Sequence, residues 1–343
     1  MQSVPSRPKA ELLPAARRIA SGSLGVREGE RVLVVHDRAH AELAAPIAAA
    51  VTEHGGEAVL LELEELGARP HTRLHDTIRA AMGSAQASVL VCGFHGGEYA
   101  MRTELVEEAG RLELRHAHMV GVTARSMIAG VAVDSRRVEK LAADVLARMK
   151  PRSVLRVRSA SGTDLTVKLD ARHRWVNHTG VVRAGTKENL PSGELVTCPG
   201  EVSGVYVANG TLGDATGSFA GSLTRSALIL QIEAGAVKRI EGSDGPLARR
   251  IQVAMRGVVN LDRVALVSLG TNFGLKEPIG EIFVDQTLPS VHLSLGLTFP
   301  ERTGASWTSE SWIGFTATGS DVELDGTPLM KAGRYLGGLD PTA

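Results

Sequence analysis

Aromatic residues make up only 3% of this 343-residue chain: three Trp, three Tyr and six Phe. Any recognition surface built from rings must therefore draw on a handful of identifiable side chains. Two cysteines, Cys92 and Cys198, are too few for a disulfide framework or a cysteine-rich zinc site. Neither sign of charge is in excess, with 38 Lys+Arg against 38 Asp+Glu, which argues against a nucleic-acid partner or an anionic membrane surface. No stretch of the sequence approaches the roughly 18 apolar residues that span a bilayer. Residues 1–20 carry Pro, Glu and Arg where a secretory signal would be apolar, so a cytoplasmic location is expected. What the chain does hold is 43% hydrophobic and 22% charged residues, enough to bury the core of one large or two ordinary domains.

The first half alternates two periodicities. Short β-branched runs at 31–36, 58–63, 87–92 and 116–122 predict strands, and Ala-rich or amphipathic stretches at 39–53, 72–82, 98–110 and 134–149 predict helices. This rhythm implies a parallel sheet with helices on its faces, a Rossmann-like α/β domain over 1–150. Pro151 marks a change to strands and Gly-, Asn- and Asp-marked turns, with one helix near 246–258. The expected second domain, 151–343, is mainly β.

Familiar catalytic patterns are missing. The Gly-rich dinucleotide fingerprint, Walker A, HExxH and Gly-x-Ser-x-Gly do not occur. The loop Gly93-Phe94-His95-Gly96-Gly97 ends a strand and opens a helix, where an anion can bind, although most such loops are plain βα turns. His116 and His118 alternate along one strand and share a face, yet no acidic third ligand stands nearby. His292 lies within an apolar strand, where a charged ring would be costly, and reads alone as a satisfied core histidine. Trp307 and Trp312 cluster with Phe299 and Phe315, a concentration that suggests either core packing or a ligand groove. Ser309, Glu310 and Ser311 between the tryptophans point to a segment that is partly wet.

Asn189-Leu190-Pro191-Ser192-Gly193-Glu194, the runs 264–272 and 285–296, and the segment 309–319 resemble, in order and spacing, the aminopeptidase T/aminopeptidase S family of metallo-aminopeptidases and their 2,5-dihydroxypyridine dioxygenase relatives. The resemblance covers about 180–335. It implies a metal cluster in the second domain, with Glu194 and His292 at ligand positions that are retained. Leu266, Phe299 and Trp312-Ile313-Gly314 stand where the family has Glu, Tyr and a His-x-Asp pair, and the acidic position upstream of His292 falls near Asp285-Gln286. Two retained ligands are too few for a zinc site, and an iron facial triad needs a second histidine, which only His173 or His178 can supply.

The resemblance thus implies a fold kept and a metal chemistry lost: no catalytic residues, no metal and no cofactor. It is similar to degenerate members found in ribosomal-peptide clusters of the crocagin type. The expected ligand is a peptide, such as a ribosomal precursor held for a modifying enzyme. Its expected contacts are Trp307, Trp312, Arg302, Phe299, Glu194 and His292, with Arg302 near a ligand carboxylate and the cleft flanked by an irregular loop over 300–311. Glu194 and His292 are also expected to pair with each other. The alternative is an active aminopeptidase or dioxygenase with a rebuilt metal site on Glu194, His292 and a third histidine. A second alternative is a purely structural dimer, since the resemblance implies self-association through this domain, and a homodimer is expected.

Overall fold

The computed structural model describes residues 9–131 and 133–339. The start of the leader reading, residues 1–8, lies outside them. The chain forms two compact units, 1–139 with 179–192, and 140–178 with 193–343. The single cut expected at Pro151 is replaced by three crossings. The second unit begins inside the helix Ser135–Leu146, and the segment 179–192 returns to the first unit. The cause is Lys187–Asn189, which pairs in parallel with Arg115–Val120.

The first unit is α/β. Its parallel sheet runs Glu57–Glu62, Arg31–His36, Ala87–Cys92, Arg115–Val120, Lys187–Asn189. Strands covered on both faces read as unbroken apolar runs, and Ala87–Cys92 is buried throughout. Val32, Val34, Val89 and Val91 pack toward the helix Ala41–Glu53. Leu33, Val35 and Leu90 face the layer of Ile78, Met82, Met101 and Leu105. Burial pushes the thiol of Cys92 up to about 12 and that of Cys198 up to about 11, and both cysteines are free.

The second unit carries two antiparallel sheets. Eight strands run from Ala236–Gly242 at one edge to Arg334–Tyr335 at the other. Seven strands run Gly221–Ser222, Thr211–Asp214, Trp312–Phe315, Val291–Gly296, Val264–Gly270, Glu194–Thr197, Val176–His178. One apolar core unites residues of both sheets. Tyr206 sits fully buried in it, its hydroxyl 3.1 Å from the carbonyls of Val291 and Phe315. Among the described residues no helix is long and apolar enough to cross a membrane.

Candidate functional site

Strand alternation divides the seven-stranded sheet into two faces. Leu195, Val267, Leu269, Leu293, Ile313 and Phe315 enter the core. The opposite face is set by register. His178 lies across from Glu194, Ser268 from both Val196 and His292, Ser294 from Gly314, and Gly296 from Trp312. Glu194, His292 and Trp312, far apart in sequence, thereby come to one face.

A short helix, Ile282–Asp285, and the turn after it cover part of this face. Ile282 approaches so closely that a Cβ on Gly213 would stand 2.6 Å from its side chain, and one on Gly314 3.4 Å. Asp285 anchors the segment. Its buried carboxylate accepts from the backbone N–H groups of Ile279, Gly280 and Glu281 at 2.7, 2.8 and 3.1 Å, and from the Thr211 hydroxyl at 2.5 Å. The acid expected near this position is thus spent on holding a turn. Next to it, the Gln286 amide donates to Glu194 Oε1 at 3.0 Å, and the Ser268 hydroxyl donates to Oε2 at 3.1 Å.

His292 is 3% exposed. Its Nδ1 lies 3.2 Å from the backbone N–H of Ala317, which can only donate, so Nδ1 accepts. The proton therefore sits on Nε2, which donates to the Leu288 carbonyl at 2.8 Å. Burial holds the ring neutral, with its pKa pushed down to about 4. Both nitrogens are committed to backbone, so the expected pairing with Glu194 does not form. Of the other candidate histidines, His173 Nδ1 bonds the Cys198 carbonyl at 2.9 Å, and His178 Nε2 lies 3.2 Å from Arg302 Nη2.

Aromatic side chains border the same face. Trp307 is half-buried against Val196 and Leu266, and the Arg263 guanidinium stacks 3.9 Å from its ring centre. Trp312 is half-buried, its ring 5.6 Å from that of Phe283, which is 64% exposed. Arg302 is exposed on the helix Pro300–Thr303, which stands where an irregular loop was expected. Phe299 heads that helix, 40% exposed, in the left-handed region at φ 52°.

In the first unit, the loop after Ala87–Cys92 meets an anion supplied by the protein itself. The Gly93 N–H donates to Asp37 Oδ2 at 2.8 Å. His116 and His118 form a chain with Ser88, Ser88 Oγ to His116 Nδ1 at 2.9 Å and His116 Nε2 to His118 Nδ1 at 3.1 Å. Burial holds His116 neutral, its pKa lowered to about 3.

Over residues 19–276, more than half of the chain, the sequence matches the family model of 2,5-dihydroxypyridine 5,6-dioxygenase. The chain belongs to this family. Two solved structures are similar to this dioxygenase-family chain. The 2,5-dihydroxypyridine dioxygenase of Pseudomonas putida KT2440 is 17% identical, with a TM-score of 0.63, over 96% of this chain and 98% of that one. Wild-type AmpT from Thermus thermophilus is 16% identical, with a TM-score of 0.61, over 95% and 99%. At such identities these likenesses show the fold alone. No curated protein matches the chain.

A metal of the kind the resemblance implies does not fit the residues on this face of the dioxygenase-family member. A mononuclear catalytic site needs about three protein ligands, and a di-metal site needs more. Glu194 offers a carboxylate already bonded by Gln286 and Ser268. His292 and Asp285 have their lone pairs engaged, and Leu266 and Gly314 have no donor side chain. Among the described residues, no group of three or more His, Cys, Asp or Glu side chains is placed to hold an ion. Sequence reasoning found the positions but missed Gln286 and Asp285 as the groups that occupy Glu194 and fix the cover. The only signal was the adjacent acid and amide themselves.

Proposed function

We propose that this family member binds a peptide on the outer face of its second unit, without metal chemistry there. One contrast carries the reading. The polar groups of His292 and Asp285 are locked into backbone hydrogen bonds, while Trp307, Trp312, Phe283 and Arg302 stay at least partly open around them. Trp and Arg are the side chains that most often carry interface energy. Arg302, exposed beside His178, would meet a ligand carboxylate. His292 and Glu194 enter as supports of this face, and His292 itself is too buried to touch a ligand. A ribosomal precursor peptide, held in the cytoplasm by a homodimer for a modifying enzyme as in crocagin-type clusters, is the most concrete form of the proposal. The rival reading, a rebuilt metal site on Glu194, His292 and a third histidine, would need His292 to give up its backbone hydrogen bonds, and His178, across from Glu194 in the ladder, is the histidine nearest to supply the third ligand.

Selection from a random heptapeptide library, followed by fluorescence anisotropy on the selected sequences, tests the proposal. Trp307→Ala is expected to keep the circular-dichroism spectrum and to weaken binding at least about tenfold, or ~1.4 kcal/mol. The same protein, expressed with iron, zinc and manganese supplied, is expected to carry well under one metal ion per chain. An empty selection, or a folded Trp307→Ala protein that binds as tightly as the parent, overturns peptide binding. A tightly held stoichiometric metal whose removal abolishes an activity favours the rival.

A further inference from the structure

We propose a second ligand site within the second unit, a cavity of about 490 Å³ that takes a carboxylate carried on a compact apolar body. Its volume falls in the range of small-molecule sites, about 300–1,000 Å³. Phe273, Leu275, Leu288, Pro289 and Tyr335 supply apolar wall. The ionisable groups that line it with a full charge are both cationic, Lys276 and Arg334, and no Asp or Glu lines it.

Glu277, next to Lys276 in sequence, is exposed and does not line the cavity, so its walls carry positive charge only. Tyr335 is 3% exposed, and its hydroxyl donates to the Gly270 carbonyl at 2.8 Å. Lys276 Nζ donates one of its three N–H bonds to the Phe273 carbonyl at 2.7 Å, which holds the ammonium at the wall and leaves two donors. Arg334 lies exposed on the two-residue strand Arg334–Tyr335. The acid nearest in sequence to this wall on its own sheet, Asp321, is occupied by Lys331 Nζ at 2.5 Å and the Ala332 N–H at 2.7 Å. A carboxylate between an ammonium and a guanidinium makes charge-assisted hydrogen bonds, and a planar guanidinium can grip it with two. The ligand body gains by displacing water from Phe273, Leu288 and Pro289. A neutral ligand forgoes the first gain, and a cationic one is repelled.

This chemistry has two sources, a free organic acid or the C-terminus of a peptide. The site stands whether or not the outer face binds a peptide. Titration calorimetry on the full chain with 3-phenylpropionate, its amide, and N-acetyl-Leu-Phe with a free or an amidated C-terminus separates them. At least one free acid is expected to bind, with its amide at least about tenfold weaker. Arg334→Gln is expected to lose at least about tenfold in affinity at an unchanged melting temperature, because the side chain is exposed. Lys276→Gln is expected to weaken binding as well. Tighter binding of the peptide assigns the site to C-termini, and tighter binding of 3-phenylpropionate assigns it to free acids. No heat from either acid up to ~10 mM, equal binding of acid and amide, or full affinity in Arg334→Gln overturns the proposal.

Discussion

Replacing Arg69 with Met is expected to destabilise the first unit by about 3–5 kcal/mol, the scale for breaking a buried ion pair from one side. Arg69 reaches two carboxylates that water does not. Glu98 is 0% exposed and Asp37 2%. The guanidinium gives Nε and Nη2 to Glu98 at 2.8 and 2.5 Å, and Nη1 to Asp37 at 2.5 Å. Burial alone would raise the pKa of both acids, but Gly93, Arg69 and His40 on Asp37, and Arg69 and His71 on Glu98, hold both below the usual range. With Arg69 gone, two anions remain in a dry site at the carboxyl ends of the central strands. Adding Asp37→Asn and Glu98→Gln to the Met variant is expected to recover most of the loss, since neutral amides need no counter-charge. Denaturant unfolding of the three proteins measures both effects. A loss below about 1 kcal/mol in Arg69→Met would place the cluster with exposed ion pairs and sink the argument.

That cluster shows what the sequence hides. Asp37, Arg69 and Glu98 come from three separate turns, and no local pattern links them. Strands 31–36 and 87–92 were legible to the residue because parallel strands buried on both faces need continuous apolar runs. Lys187–Asn189 was not, since three polar residues joining a sheet edge carry no periodicity. Trp312–Phe315 stood out for its rings, while its alternation, with Ile313 and Phe315 inward and Trp312 outward, is too short to read as a strand. On the candidate face, the resemblance located Glu194, Leu266, His292 and Gly314 at one site, and the ladder register does bring them to one face. What closes that face, Gln286 on Glu194 and backbone on both nitrogens of His292, depends on the path of a turn that residue types do not dictate.

Acidification is expected to weaken the second unit well before its carboxylates titrate, and His292 is the reason. The ring has a pKa near 6.5 in an unfolded chain and about 4 when folded. Between these values the unfolded chain binds a proton that the folded one refuses, so stability falls as pH falls. From pH 6.5 to 5 the loss from this one group is about 1.6 kcal/mol, the slope rising from about half of its full ~1.4 kcal/mol per pH unit at pH 6.5, where the unfolded ring is half protonated. His116 has the same sign in the first unit, with a folded pKa of about 3. The two units can be told apart because all three tryptophans, Trp175, Trp307 and Trp312, lie in the second. Tryptophan emission during urea unfolding therefore follows the unit that holds His292, while His116 lies in the other. His292→Gln should cost about 1–3 kcal/mol at pH 7, because the Leu288 carbonyl and the Ala317 N–H lose well-placed partners. It should also flatten the decline between pH 6.5 and 5, because the group that titrates is gone. A variant that is merely weaker, with the slope of the parent, would mean that His292 accepts its proton in the folded state. The ring would then be charged on the same face as Glu194, and the outer face would again have an imidazole to offer a ligand.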